Sequence, residues 1–288
     1  MNSATENIAL ILDFDDTLAP DSTSALLEDH DITPDDFWLK DVKRLVVSGY
    51  DPTLAYLQSI LRYIGSGKPL GNLSNRDLRE FGNRMNKRVY PHLPTFFKDL
   101  RRITESYENI NIDFFIVSGG LAEIIRGVKV INENFKAVYA CELSGDTSSG
   151  PLKYIKRAVT FTEKTRYLFE INKGIAPRES ASNPYLVNRN VDLAKRPIPF
   201  QNMIFVGDGL TDIPCFSLVN HFQGTTFGVF NPKEEKSAKQ ALQELLKTGR
   251  VVSAHAPKYR KNDELGALLR SAVATICSKI GLKREEAK

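Results

Sequence analysis

The feature that most constrains this chain is a short apolar run that ends in a burst of acid. Ile8-Ala9-Leu10-Ile11-Leu12 is continuous and β-favouring, and Asp13-Phe14-Asp15-Asp16-Thr17 follows it directly. An apolar run without alternation fits a strand buried on both faces, as in a parallel sheet covered by helices. Similar runs recur at 112–117, 137–141, 203–206 and 226–230, with a weaker one at 251–254. Helical spacing separates many of them. The prediction is an α/β fold: a doubly wound, mostly parallel, Rossmann-like sheet with helices on both faces.

The stretch between the first two runs reads differently. Thr33-Pro34-Asp35-Asp36 combines a hydroxyl cap, proline at the first position and acid in the first turn, which predicts a helix over 34–47. Helical patterns at 52–64 and 75–86 follow, and one at 95–107 leads into the second strand. A β-to-β crossover needs one helix, so the other three predict an inserted all-helical domain. Residues 19–91 are assigned to this cap, and 1–18 with 92–288 to the α/β core. Residues 144–151 read as an exposed turn, 174–199 as a long surface excursion, and 263–280 as a C-terminal helix before a frayed 283–288.

Composition narrows the class. Of 288 residues, 42% are hydrophobic and 26% charged, as in ordinary globular proteins. The net charge of +4 is spread along the chain and predicts neither a nucleic-acid nor a membrane-binding stripe. No run is read as approaching the roughly 20 apolar residues of a membrane span. Cys141, Cys215 and Cys277 lack metal or disulfide spacing, and the first residues lack a basic leader. A soluble cytoplasmic protein with reduced thiols is expected.

The chemistry concentrates at strand ends. Three carboxylates in the four residues 13–16 repel one another unless a cation compensates. The carboxyl ends of strands in an open α/β sheet are where ligands bind, and carboxylate oxygens there suit Mg²⁺ shared with a phosphate. Val206-Gly207-Asp208-Gly209-Leu210-Thr211-Asp212 is a second acidic loop after an apolar run. Its glycines permit close approach of a ligand. A helix beginning near Leu210 would bring Asp208 and Asp212 to one site. Ile116-Val117-Ser118-Gly119-Gly120 offers a hydroxyl and backbone amides for an anionic oxygen. Singly, each segment reads equally as an ordinary turn; together they are hard to assign to chance.

Taken in order, these segments resemble the haloacid-dehalogenase-like (HAD) superfamily of aspartate-nucleophile phosphohydrolases. DxDxT matches Asp13, Asp15 and Thr17; the apolar strand with a following hydroxyl matches Ser118; GDGxxD matches Asp208 and Asp212. The helical insert after the first motif looks like a type 1 cap, as in phosphoserine-phosphatase-like members. The family's single lysine is placed at Lys164, at the start of a helical pattern, over Lys153, Lys156 and Lys173.

The resemblance implies a phosphatase hydrolysing a small phosphorylated metabolite through an aspartyl-phosphate. Asp13 is then the nucleophile and Asp15 the acid and base. Mg²⁺ is implied at Asp13, the Asp15 carbonyl and Asp208, with Asp212 as ligand or support. Ser118, the Gly119 amide and Lys164 are implied to hold phosphoryl oxygens, and Thr17 to fix the loop by hydrogen bonding. A phosphomutase on the same core, or a non-catalytic phosphate-ligand binding protein, is the alternative. Arg79, Arg84, Lys87 and Arg88 read mainly as a solvated helix face. Ser22 stands where phosphoserine phosphatases carry a glutamate.

Overall fold

The structure, a computed structural model, describes residues 5–286. Seven strands form one sheet in the order β4-β3-β2-β1-β5-β6-β7. They are β1 (Glu6–Leu12), β2 (Ile110–Leu121), β3 (Ala137–Gly145), β4 (Leu152–Arg157), β5 (Met203–Gly207), β6 (Thr225–Val229) and β7 (Ser253–His255). Every neighbouring pair is parallel except β3 with β4. The unbroken apolar runs occupy the middle: Ile8–Leu12 and all of β5 are buried.

The winding sets where a ligand can bind. From β1 the chain steps through β2 and β3 to one side, then returns to pair β5 with the other side of β1. The direction reverses at β1, so a crevice opens beyond the carboxyl ends of β1 and β5. Those ends carry the two acidic loops. Asp13 N–H donates to the Val206 carbonyl at 2.9 Å, which continues the β1–β5 pairing up to the crevice.

In the core, several elements differ from the sequence reading. Of the turn expected over 144–151, Ser144 and Gly145 end β3, and residues 146–151 lead into a return strand, β4, that has no counterpart in that reading. The strand Leu-Lys-Tyr-Ile-Lys-Arg is half-exposed, without the continuous apolar run used to find the others. The excursion at 174–199 contains the helix Pro177–Ser182 and two 3₁₀ turns, Pro184–Asn188 and Leu193–Lys195. The last helix, Glu264–Glu286, runs through part of the stretch expected to fray, and residues 287–288 lie outside the described part. Contrary to expectation, this helix contains an 18-residue window of mean hydropathy 1.4, enough by length and composition to cross a membrane. Leu265, Leu269, Val273, Ile276 and Ile280 are buried on it, and it packs on β1 and the helix Leu93–Glu105.

Between β1 and Leu93–Glu105 the insert holds Ser22–Glu28, Asp36–Val42, Lys43–Val47, Pro52–Arg62 and Asn75–Met85. The helix expected over 34–47 is present over those residues, wound as a π-helix at Asp36–Val42 and as an α-helix at Lys43–Val47. Ser22–Glu28, absent from the expected helices, is only seven residues long; the Asp21 side chain supplies its cap, accepting from the Thr23 and Ser24 N–H groups. Asn75–Met85 is started by a reciprocal Ser74–Asp77 capping box.

This last cap helix crosses the core helix Ala122–Gly127 at a pair of glycines. A methyl on Gly82 would collide with the Ile124 carbonyl, and one on Gly127 with the Arg79 carbonyl. Only glycine permits this approach of two backbones. Gly82→Ala is expected to cost about 1–3 kcal/mol through overpacking. Urea unfolding checks this; an unchanged midpoint would show that the crossing tolerates the methyl.

Candidate active site

The loops after β1 and β5 and the irregular end of β2 line one cavity of about 290 Å³, and the helix Phe161–Lys173 brings Lys164 onto Asp13 beside it. Asp13, Asp15, Ser118, Gly119 and Asp208 all line it. A larger cavity, about 800 Å³, is lined by Glu6, Leu193–Pro197, Phe200 and Arg284 at the opposite end of the sheet and holds none of these residues.

Lys164 is the central contact. It is 1% exposed, and its ammonium donates to Asp13 Oδ2 and to Asp212 Oδ1, each at 2.7 Å. Burial alone would lower its pKa, but the two carboxylates outweigh burial and raise it, so it stays charged. The competing lysines lie elsewhere: Lys153 pairs with Asp146, Lys156 with Glu142, and Lys173 donates to the Val187 and Arg189 carbonyls. Asp212 is fully buried, and its other oxygen accepts from the Gly209 N–H at 3.1 Å. Burial raises its carboxyl to about 6, against the pull of Lys164.

Oxygens of Asp13, Asp208 and Asp212 lie within 4.8 Å of one another. Burial, then the Asp13 and Asp212 charges, push the Asp208 carboxyl well above its ordinary range. Such a cluster of hard oxygen donors is costly by itself and suits a divalent cation. Of the three, Asp13 and Asp208 line the cavity, whereas Asp212 does not and has its two oxygens held by Lys164 and the Gly209 N–H. Phe14 N–H donates to the remaining Asp13 oxygen, Oδ1, at 2.6 Å.

Asp15 sits apart from that cluster. Its Oδ1 accepts from the Ser22 N–H at 2.8 Å, and its Oδ2 occupies the space a Gly120 Cβ would need. Burial, with the Asp21 charge next, raises its carboxyl well above the usual range. Ser118 is 1% exposed, and its hydroxyl accepts from the Gly120 N–H at 3.1 Å.

Several residues behave differently from the sequence reading. The Thr17 hydroxyl is buried and accepts or donates no hydrogen bond to any described residue; the loop is fixed instead through the Thr17 carbonyl, which accepts from Tyr259 Oη at 2.6 Å. Gly207 makes room for the Asp212 carboxylate, not for a ligand. Arg79, Arg84 and Arg88 pair with Glu123, Asp29 and Glu28 on the surface, and none of them or Lys87 lines the cavity. The cap's contribution, which the sequence reading lacked, is Trp38, Pro52, Thr53 and Tyr56. Tyr56 Oη donates to the Gly119 carbonyl at 2.5 Å, tying the cap to the irregular end of β2. Nothing short of the fold shows that this tyrosine faces the core.

Two solved structures share the architecture. A HAD family hydrolase from Salmonella enterica serovar Typhi superposes with a TM-score of 0.58 at 12% identity, over 93% of this chain and 71% of that one. A probable phosphoserine phosphatase from Vibrio cholerae gives 0.56 at 12% identity, over 96% and 67%. The fold is that of the haloacid-dehalogenase-like superfamily. No protein-family model matches the sequence. An uncharacterised protein of Borreliella burgdorferi is 31% identical over 291 aligned positions, covering 92% of this chain and 96% of its own. The chain belongs to one sequence family with that protein.

Lys164→Met would leave Asp13 and Asp212 buried without their counter-charge. A loss of about 3–5 kcal/mol is expected, as for other broken buried pairs. Urea unfolding in metal-free buffer reads it, and a loss below about 1 kcal/mol would place the pair among the energetically neutral ones.

Proposed function

We propose that this protein is a soluble, Mg²⁺-dependent phosphatase that hydrolyses a small phosphomonoester through an aspartyl-phosphate on Asp13. The observation that carries the reading is the meeting of Asp13 and Asp208 beside a charged, buried Lys164, with the Asp15 carboxyl poised in the same cavity. The buried free cysteines Cys141, Cys215 and Cys277 suit a reducing, cytoplasmic setting.

Asp13 and Asp208 would hold the metal, with the Asp15 carbonyl, and Asp212 would position Lys164 and the β5 loop. When bound, Mg²⁺ offsets the repulsion between Asp13 and a phosphate dianion and stabilises charge on the transferring group. Ser118, the Gly119 amide and Lys164 orient the phosphoryl oxygens. The Asp13 carboxylate attacks phosphorus, and the bond to the leaving oxygen breaks as the new one forms. Asp15, whose protonated form burial favours, gives its proton to that oxygen. It then takes a proton from the water that attacks the phospho-enzyme, which frees Asp13 and inorganic phosphate.

Turnover of p-nitrophenyl phosphate is expected with Mg²⁺, lost with EDTA and restored by Mg²⁺. Asp13→Asn should fall by about 10³-fold or more in kcat. Activity that persists through that substitution would remove Asp13 as nucleophile. Asp15→Asn has a different signature. Nitrophenolate leaves without a proton, so the first step proceeds and acid quenching should trap a phospho-enzyme. Its Mg²⁺-induced rise in Tm should match wild type; loss of that rise would make Asp15 a metal residue instead of an acid and base.

A further inference from the structure

The side chains around the cavity divide by charge. Asp13, Asp15 and Asp208 serve phosphoryl transfer in the reading above. Asp16 and Asp21 line the same cavity and have no part in that chemistry. No arginine, lysine or histidine is among the described residues that line it. Lys164, buried beside it, is engaged by Asp13 and Asp212. A divalent cation and a phosphate dianion cancel each other's charge, so the rest of the substrate meets the field of Asp16 and Asp21.

The cap supplies an aromatic wall on that side. Trp38 and Tyr56 line the cavity with their ring centroids 5.8 Å apart. Hydrogen bonds set the indole: Trp38 Nε1–H donates to Ser24 Oγ at 2.9 Å, and that hydroxyl donates to Asp21 Oδ2 at 2.6 Å. Tyr56 is set by its bond to the Gly119 carbonyl. Two positioned rings beside carboxylates attract an organic cation, the rings through their quadrupole and the carboxylates through their charge. The same wall repels an anion, since no described residue lining it carries a positive charge to pair with a carboxylate.

We propose, building on the phosphatase reading, that the substrate is the phosphomonoester of a small cationic alcohol, an amino or quaternary-ammonium alcohol without a carboxylate. The alcohol end rests against Trp38 and Tyr56 with its positive charge toward Asp16 and Asp21. A phosphorylated hydroxy-amino acid fits poorly, because its carboxylate enters an acidic wall with no cation to receive it.

Trp38 is the one tryptophan of the chain, which gives a binding signal independent of turnover. In Asp13→Asn with Mg²⁺, phosphocholine or phosphoethanolamine should change tryptophan emission saturably, and 3-phosphoglycerate should not. In wild type, kcat/KM for these cationic esters should exceed that for glycerol phosphate, phosphoserine and 3-phosphoglycerate by about tenfold or more, less so at high salt. Trp38→Leu and Asp16→Asn should each lower the ratio of cationic to neutral ester, and Trp38→Phe should keep most of it. The ratio is internal to each variant, so a general loss of activity does not mimic the effect. Anionic or neutral esters turned over as well as cationic ones, or a ratio unmoved by both variants, would overturn the proposal and leave the phosphatase reading standing. Failure to hydrolyse any ester, p-nitrophenyl phosphate included, would overturn both.

Discussion

A lysine buried between two buried carboxylates holds together the end of the sheet that carries the acidic loops. Lys164 comes from the helix Phe161–Lys173, Asp13 from the end of β1 and Asp212 from the turn after β5. Taking three charges out of water costs several kcal/mol each, recovered only when geometry and hydrogen bonds are good. The contacts at 2.7 Å, with Phe14 and Gly209 N–H groups on the remaining carboxylate oxygens, meet that condition. The arrangement leaves one carboxylate in excess, and Asp208 beside it adds another that burial already strains toward neutrality. Stability alone would not select this cluster. Its construction is that of a site awaiting positive charge.

The cap is fastened to this core by contacts of two kinds, and together they decide what lies over the carboxylates. The Gly82–Gly127 crossing is steric and admits no side chain at either position. Backbone and side-chain bonds add to it: Leu152 N–H donates to the Leu73 carbonyl at 2.9 Å, and Asn75 Nδ2 to the Leu143 carbonyl at 3.1 Å. On the other side, Tyr56 reaches Gly119 in the irregular end of β2. With both edges held, Pro52, Thr53 and Trp38 come over the cavity, while the basic residues of the helix Asn75–Met85 turn outward into surface ion pairs. The same helix register that packs Gly82 inward thus excludes Arg79 and Arg84 from the substrate.

What could be read in the sequence followed from residues whose reasons are local. The buried strands announced themselves because a strand covered on both faces must be apolar throughout, and the acid loops because carboxylates after such a strand have no structural excuse. Lys164 could be singled out only through the resemblance, since nothing local distinguishes it from Lys153 or Lys156; the difference is burial, which is a property of the fold. β4 escaped because an edge strand paired on one side carries a half-polar pattern. Trp38 and Tyr56 escaped for a related reason. An aromatic residue at helical spacing looks the same whether it faces the cap's own interior or the cavity beneath it, and only the docking of the cap separates the two.

The Thr17 position shows how far apart the determinants of one loop can lie. The residue types after β1 favour a side-chain hydrogen bond within the loop, yet the hydroxyl is left idle and the carbonyl carries the restraint. Its donor, Tyr259, is 242 residues away in sequence and 1% exposed. The buried phenol packs against Phe96 of the helix that returns the chain from cap to core. Through this one tyrosine the loop after β1, the helix Leu93–Glu105 and the segment before the C-terminal helix are joined. A buried tyrosine hydroxyl needs a partner, and a loop carbonyl turned away from every strand needs a donor. Each satisfies the other, and the geometry of the motif beside Asp13 rests on a segment far from it in sequence.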